Sequence, residues 1–488
     1  MAVTAAMLYD MVRCPHRMTE DLFGDPRLRD PVSPLVELLW ERGNAYEKEV
    51  IERLTQPFLN LRGYTGVEQE QRTLEAMQRR EPLIYGGRIT AGDLIGEPDL
   101  LRFHDTGYVA GDIKSGAGEE GGDEESDAKP KKHYAVQLAL YTDILERIGH
   151  SAGRYPFVWD VHGKEVIYDL GAPMGPRTPQ SLWDVYQEFL SHARAVLERE
   201  EKTVPAYGST CKLCHWHSTC LRSLEGLKDV TLLPEMGRAR RDALPANLRT
   251  IPGLAQADLA AVGKVKGFSK ETLQKFRERA ILRTRQDPKP YLREPVVLPE
   301  MATELFFDIE TDPMRDICYL HGFIERIGGK KGTQRYVPFL AEEPTPEAEE
   351  RAFAAAWEYI CRSQPCAFYY YSAYERTQWR RLQQRYPHVA TDDEIEALFA
   401  AASTVDLYAI VRAKSEWPTR DFSVKTLASF LGFHWRDTNP SGAASIEWYH
   451  RWTETSDQGV RQRILEYNED DCVAMQVLAE ALRHMTVA

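Results

Sequence analysis

Gly96-Glu-Pro-Asp-Leu-Leu-Arg-Phe-His-Asp-Thr-Gly-Tyr-Val-Ala-Gly-Asp-Ile-Lys114 holds two runs with strand character, Pro98–Phe103 and Tyr108–Lys114. The turn signal His104-Asp-Thr-Gly107 separates them. A turn centred on Asp105 and Thr106 puts Asp99 directly opposite Asp112. Side chains alternate along a strand, so Asp112 and Lys114 share a face. Two acids and a lysine then converge on one spot. Neighbouring carboxylates repel unless something neutralises them. A divalent cation does so, and Mg²⁺ takes few protein carboxylates while keeping waters for chemistry. The lysine can hold a nucleophilic water or a phosphoryl oxygen.

Downstream, Tyr134-Ala-Val-Gln-Leu-Ala-Leu-Tyr-Thr-Asp143 reads as a helix, with Gln137 and Tyr141 one turn apart on the same side. Upstream, Glu41-Arg-Gly-Asn-Ala-Tyr-Glu-Lys-Glu49 opens an amphipathic helix with Glu47 available as a further ligand. In this order, Gly-Glu-Pro-Asp99, Asp112-Ile-Lys114 and Gln137-x-x-x-Tyr141 resemble the RecB-like branch of the PD-(D/E)XK nucleases, which includes the Cas4-like exonucleases. Where relatives often carry a histidine in the first helix, this chain has Tyr46 and Glu47. The resemblance implies that Asp99 and Asp112 bind metal and Lys114 orients water. It assigns Gln137 and Tyr141 to supporting the site and contacting substrate.

Cys211-Lys-Leu-Cys214 with Cys220 supplies three clustered thiols, which call for a fourth ligand. Cys14, in Arg13-Cys-Pro-His16, is the candidate, with His215 and His217 as alternatives suited to zinc. An all-cysteine tetrad suits zinc or a [4Fe–4S] cluster equally. Cas4-like and AddB-like nucleases carry one upstream and three downstream cysteines around the nuclease core, ligating an iron–sulfur cluster. That resemblance makes Cys14, Cys211, Cys214 and Cys220 the expected ligands of a structural [4Fe–4S] cluster, with zinc as the alternative.

The segment Met236–Glu294 carries 14 Lys or Arg against 6 Asp or Glu, a local charge of +8 that leaves the rest of the chain at −21. Thr250-Ile-Pro-Gly-Leu254 and Lys264-Val-Lys-Gly-Phe268 each precede a helix-like run. These turns resemble helix-hairpin-helix elements, in which a glycine turn exposes backbone N–H groups to a phosphate. The second is the better candidate, so Lys264, Lys266, Gly267 and Lys270 are expected to contact nucleic acid.

The last acidic set opens in the strand-like run Glu304-Leu-Phe-Phe-Asp-Ile-Glu310, where Asp308 and Glu310 project from one face. In the helical run Ile464–Ala474, Tyr467 and Asp471 share a side. This order resembles the DEDD exonucleases of the RNase H-like fold, tyrosine subtype. Glu375 stands where relatives carry an aspartate, within Tyr369-Tyr-Tyr-Ser-Ala-Tyr-Glu-Arg376. The resemblance implies two Mg²⁺ or Mn²⁺ ions on Asp308, Glu310 and Asp471, with Glu375 as a further candidate and Tyr467 positioning water. Asp406 and the surface acid Asp470 are expected to be structural, and Tyr369, Tyr370, Tyr371 and Trp379 to lie mostly in the core.

The chain of 488 residues is long enough for about three domains. With 43% hydrophobic and 28% charged residues it is not a disordered chain. No apolar run reaches the roughly 18 residues of a membrane span. The N-terminus carries no export signal, which makes the cytoplasm the expected location and disulfides unexpected. Cys318, Cys361, Cys366 and Cys472 are expected as buried thiols. The expected architecture is a multidomain α/β protein: a PD-(D/E)XK restriction-endonuclease-like domain over 1–232, a helix-hairpin-helix-like linker over 233–295, and an RNase H-like domain over 296–488. The expected function is metal-dependent hydrolysis of DNA, at single strands or ends, with a helicase or other DNA-processing protein as a candidate partner. Two alternatives are a nucleic-acid-binding scaffold with inert nuclease folds and a zinc-stabilised RNA-processing nuclease.

Overall fold

The computed structural model describes residues 1–121, 129–175, 178–329, 332–438 and 440–487. The chain separates into two units, one of Met1–Pro205 with Ser209–Cys220 and one of Ala206–Gly208 with Leu221–Ala488. The basic segment 233–295 falls within the second.

The first unit is built on a six-stranded mixed sheet in the order Glu165–Ile167, Phe157–Trp159, Gly107–Ile113, Leu100–His104, Leu83–Tyr85, Leu59–Asn60. At its centre is the hairpin: Leu100 faces Gly111 and His104 faces Gly107, antiparallel. Asp105 turns the chain at a φ of 51°, a left-handed conformation that aspartate tolerates better than most residues. Gly107–Ile113 is buried along its whole length, as a central strand covered on both faces must be. The helix Lys132–Arg147 is buried from Ala135 to Leu145 except at half-buried Gln137, and packs against Ala5–Arg13 and Leu182–Leu197. Both neighbours start on side-chain caps: Thr4 accepts from the Met7 N–H, and Ser181 forms a reciprocal pair with Asp184. The helix carrying Glu47 runs Pro34–Glu52, starting earlier than its acidic run suggests, because Ser33 caps it and Pro34 suits its first turn. The glycine- and acid-rich stretch 115–132, readable from its composition as a mobile surface loop, is described at its ends, where Glu119–Glu120 pairs with Lys129–Pro130. Residues 122–128 lie outside the described residues.

The second unit opens with short helices around Leu232, Leu248, Leu254, Leu273 and Phe276. Its helix Lys270–Thr284 is fastened by a fully buried ion pair, Arg279 Nε to Glu416 Oε2 at 2.8 Å. Burying a carboxylate is tolerable only when both oxygens are paired. Glu416 meets this because Oε1 takes Arg293 at 2.7 Å. The remainder is a five-stranded sheet in the order Thr333–Leu340, Ile317–Ile327, Thr303–Asp312, Ala367–Tyr370, Thr404–Asp406. The first three strands pair antiparallel and the last two join in parallel. The register shifts just after Glu310, which faces Leu320 while Thr311 faces Cys318. The 27-residue helix Gln458–His484 packs on this sheet. Gly322 permits the approach, since a Cβ there would sit 1.6 Å from Asn468 Oδ1.

Tyr369, Tyr370 and Trp379 are buried in the core. Cys361 is exposed, contrary to its expected burial. The helix Pro346–Arg362 turns Ala352, Phe353, Ala356 and Ile360 inward, and the residue after Ile360 is rotated off that face. Among the described residues no helix is long and apolar enough to cross a membrane.

Gly322→Ala is expected to destabilise the second unit by about 1–3 kcal/mol, the usual cost of overpacking a tight contact. Hydrogen exchange is the check: protection should fall across residues 458–484 and stay unchanged across the hairpin 100–113.

Candidate active sites

The hairpin brings Asp99 and Asp112 together at the centre of the first unit's sheet. The Ile113 N–H donates to Asp99 Oδ2 at 2.9 Å, and the Asp99 N–H reaches Asp112 Oδ1 at 3.4 Å. Asp112 is 1% exposed. Lys114 Nζ lies 2.8 Å from Asp112 Oδ2 and donates to Gln137 Oε1 at 3.3 Å. Gln137 in turn donates to the Tyr141 hydroxyl at 3.1 Å, which donates to the Glu97 carbonyl at 3.4 Å. One polar chain thus links the helix Lys132–Arg147 to the residues just before Asp99. Gly96 makes room for it: a Cβ there would lie 2.6 Å from the Tyr141 ring.

Glu47 does not reach this centre unaccompanied. It accepts from the Tyr85 hydroxyl at 2.9 Å and pairs with Arg62, whose guanidinium also takes Asp99 Oδ1 at 2.7 Å. Burial, and after it the charge of Asp112, pushes the Asp99 carboxyl up to about 7, with Lys114 opposing. For Lys114 burial acts downward, but Asp112 and Asp99 overcome it and hold the ammonium above its ordinary value.

In the second unit Asp308, Glu310 and Asp471 offer oxygens all within 4.8 Å of one another. Glu310 and Asp471 are buried and Asp308 partly so. Burial first, then the neighbouring carboxylates, drive Asp308 and Glu310 well above the ordinary carboxylate range. Asn468 donates to Asp308 Oδ2 at 2.8 Å, and Trp435 Nε1 to Asp471 Oδ1 at 2.7 Å. Lys425 Nζ donates to the Tyr467 hydroxyl at 2.8 Å and to the Asp471 oxygens at 2.9 and 2.8 Å. Glu375 is buried beside this group without belonging to it, and Asp308 is the first charge it feels after burial itself. Asp406 caps the helix Leu407–Lys414. Asp470 is a correction: it is buried, not on the surface. One turn of helix aims it at Arg436, whose backbone N–H and Nε it accepts at 2.8 and 2.9 Å.

Arg62, Lys425, Trp435 and Asn468 escaped the sequence reading. Lys425 alone left a signal, as a lone lysine in the otherwise uncharged run Phe422-Ser-Val-Lys-Thr-Leu-Ala-Ser-Phe430.

The four clustered cysteines all lie in the first unit. Burial raises the Cys220 thiol to about 12, and Cys214, Cys14 and Cys211 add to it as electrostatic neighbours. Cys214 feels Cys14 and Cys211 in the same way. His215, an alternative zinc ligand, is engaged with Asp21 at 2.6 Å. Lys264, Lys266, Gly267 and Lys270 are exposed, with Gly267 at a φ of 81° and Ser269 capping the following helix. Of these, Lys264 and Lys270 rim a cavity of about 860 Å³ whose walls include Leu259, Val262, Val265 and Phe268.

Against protein-family models, residues 14–221 match the PD-(D/E)XK nuclease superfamily and residues 305–483 the RNase_H superfamily. No curated protein matches the chain. Hard oxygen donors fit Mg²⁺ or Mn²⁺ in both acidic centres, and thiolates fit zinc or iron at the cysteines.

A carboxyl held at about 7 in the folded chain, against about 3.9 unfolded, binds its proton more tightly when folded. Stability is therefore lost as pH rises from about 4 to 7 and is level above. In metal-free protein, Asp99→Asn should remove this loss. The difference in melting temperature between variant and parent should grow in the variant's favour across that window.

Proposed function

We propose that this chain, a fusion of a PD-(D/E)XK nuclease domain with an RNase H-like domain, is a divalent-metal-dependent nuclease hydrolysing DNA phosphodiesters, at single strands or ends. The observation that carries this reading is the set Asp308, Glu310 and Asp471, three converging and mutually repelling carboxylates. Such a group is expensive to bury without a cation, and its oxygens suit the ions that phosphoryl chemistry uses. Asp99 and Asp112 form a second set of the same kind.

Mg²⁺ or Mn²⁺, held by Asp308, Glu310 and Asp471 in one centre and by Asp99 and Asp112 in the other, would supply Lewis-acid stabilisation of charge on the phosphoryl oxygens. The chain's own groups do the remainder. Lys114, carried on the edge of the Asp112 carboxylate, holds a water or a phosphoryl oxygen, and Gln137 and Tyr141 fix its direction. Tyr467 positions a water in the second centre, with Lys425 holding its hydroxyl and Asp471 in place. Asn468 and Trp435 orient Asp308 and Asp471, so the carboxylates are arranged before substrate arrives. Lys264, Lys266, Gly267 and Lys270 contact backbone phosphates without reading sequence. Cys14, Cys211, Cys214 and Cys220 hold a structural [4Fe–4S] cluster that ties the N-terminal helices to the end of the first unit. A helicase or other DNA-processing protein is the partner this activity suits.

A binding-only reading draws on Arg62 and Lys425, which occupy Asp99 and Asp471 with cations of the chain's own. Cleavage assays separate the two. The parent should degrade labelled single-stranded DNA with Mg²⁺ and not with EDTA. Asp112→Ala and Asp308→Ala should each lower the rate of their own centre on the order of 10²-fold or more, and the double variant should abolish cleavage. Absence of Mg²⁺-dependent cleavage by the parent would establish the scaffold reading, and parallel RNA substrates test the choice of DNA.

Anaerobically purified protein should absorb near ~400 nm and contain iron, and Cys211→Ser should lose both. Zinc in place of iron would overturn the cluster assignment.

A further inference from the structure

Away from both acidic centres, Arg240, Thr272, Lys275, Arg279 and Arg412 line a cavity of about 490 Å³ in the second unit, together with the single carboxylate of Glu235. Glu235 is already shared. It takes Arg412 Nε at 2.6 Å and Arg279 Nη1 at 3.1 Å, and lies 3.9 Å from Lys275 Nζ. Arg240 reaches only its backbone oxygen. Glu416, on the other side of Arg279, is divided between Arg279 and Arg293. Positive charge therefore exceeds negative in the cavity.

Arg279 supplies the second observation. Its side chain is 0% exposed, yet Nη2 has no hydrogen-bond partner among the described residues. A buried charged donor without an acceptor is uncommon and costly. Its Nε and Nη1 are fixed by Glu416, the Pro234 carbonyl and Glu235, so the guanidinium cannot rotate to find another partner. The excess field registers on Lys275, whose ammonium is lowered by burial and then by Arg279.

We propose that this cavity binds a phosphate group, through Arg412 and Lys275 at its wall, with the buried charge of Arg279 behind them. Guanidinium geometry matches two phosphate oxygens at once, and a lysine adds a mobile point charge. The group is either a free phosphate or a phosphodiester of a nucleic-acid strand. Only the second source rests on the nuclease reading above.

Two binding experiments on the full chain separate the sources. Inorganic phosphate is titrated calorimetrically at low salt. A fluorescein-labelled oligo(dT) is titrated in EDTA by anisotropy, from 50 to 200 mM NaCl. The variants are Lys275→Ala/Arg412→Ala, whose side chains are partly exposed, and Glu235→Gln, which removes the competing charge while keeping an amide in its place. The double variant should weaken the true ligand about tenfold or more. If the ligand is the strand, the slope of log affinity against log salt should also shrink by about 0.7 for each phosphate that the variant leaves unneutralised. Glu235→Gln should tighten the same ligand. A change in the phosphate titration alone assigns the site to free phosphate, and a change with oligo(dT) assigns it to the backbone. Parent-like affinity of a folded double variant for both probes would overturn the proposal. Should the double variant not fold, absence of tightening in Glu235→Gln would overturn it as well. Failure of the nuclease reading shows elsewhere, as a parent that binds but does not cleave.

Discussion

Like charges brought together inside a protein set the terms for everything around them. Asp99 beside Asp112, and Asp308 beside Glu310 and Asp471, would each be driven apart in water by a modest repulsion, and far more strongly in a medium of low dielectric. The fold accepts this because the carboxylates sit on elements that cannot yield: a hairpin in mid-sheet, a central strand, and a long helix seated against Gly322. Both centres also temper the repulsion with a basic residue of the chain. Lys114 leans on Asp112, Arg62 bridges Glu47 and Asp99, and Lys425 clasps Asp471. With every carboxylate ionised, Asp99, Asp112 and Glu47 still outnumber Arg62 and Lys114, and Asp308, Glu310 and Asp471 outnumber Lys425, so a divalent cation would have charge to neutralise. The two solutions differ in kind. Lys114 is two residues from its acid on the same strand, whereas Lys425 arrives from a separate short helix and holds a tyrosine as well.

What the sequence disclosed follows from how local each constraint is. A two-residue turn fixes hairpin pairing, so the meeting of Asp99 with Asp112 could be read from the turn alone. Helical spacing likewise put Tyr467 and Asp471 on one side without knowledge of the fold. Arg62 and Trp435 carry no such mark, because their approach depends on where whole segments pack. Asp470 was misplaced for a related reason. Its neighbour Asp471 faces the sheet, and an adjacent helical residue points elsewhere, but elsewhere proved to be Arg436 and not solvent.

The basic segment shows how composition overstates available charge. Several of its arginines are consumed internally: Arg241 by Asp229 and Asp242, Arg293 by Glu278 and Glu416, Arg279 by Glu416 and Glu235. Those pairs anchor helices that would otherwise have only a small apolar core. The cations left over are of two sorts. Lys264, Lys266 and Lys270 are exposed on and beside a glycine turn. Lys275 stands at a walled cavity beside the fixed Arg279 guanidinium, where Arg412, from outside the segment, is already paired with Glu235.

That division bears on how a polyanion would be held. Exposed lysines contribute mainly long-range attraction, which salt screens within roughly 8–10 Å. The charge of a buried guanidinium such as Arg279 is screened far less. A chain with a net charge of −13 repels nucleic acid overall, so any binding has to come from local concentrations of this kind. On the two proposals above, attraction by the turn and fixation at the cavity would be separable functions.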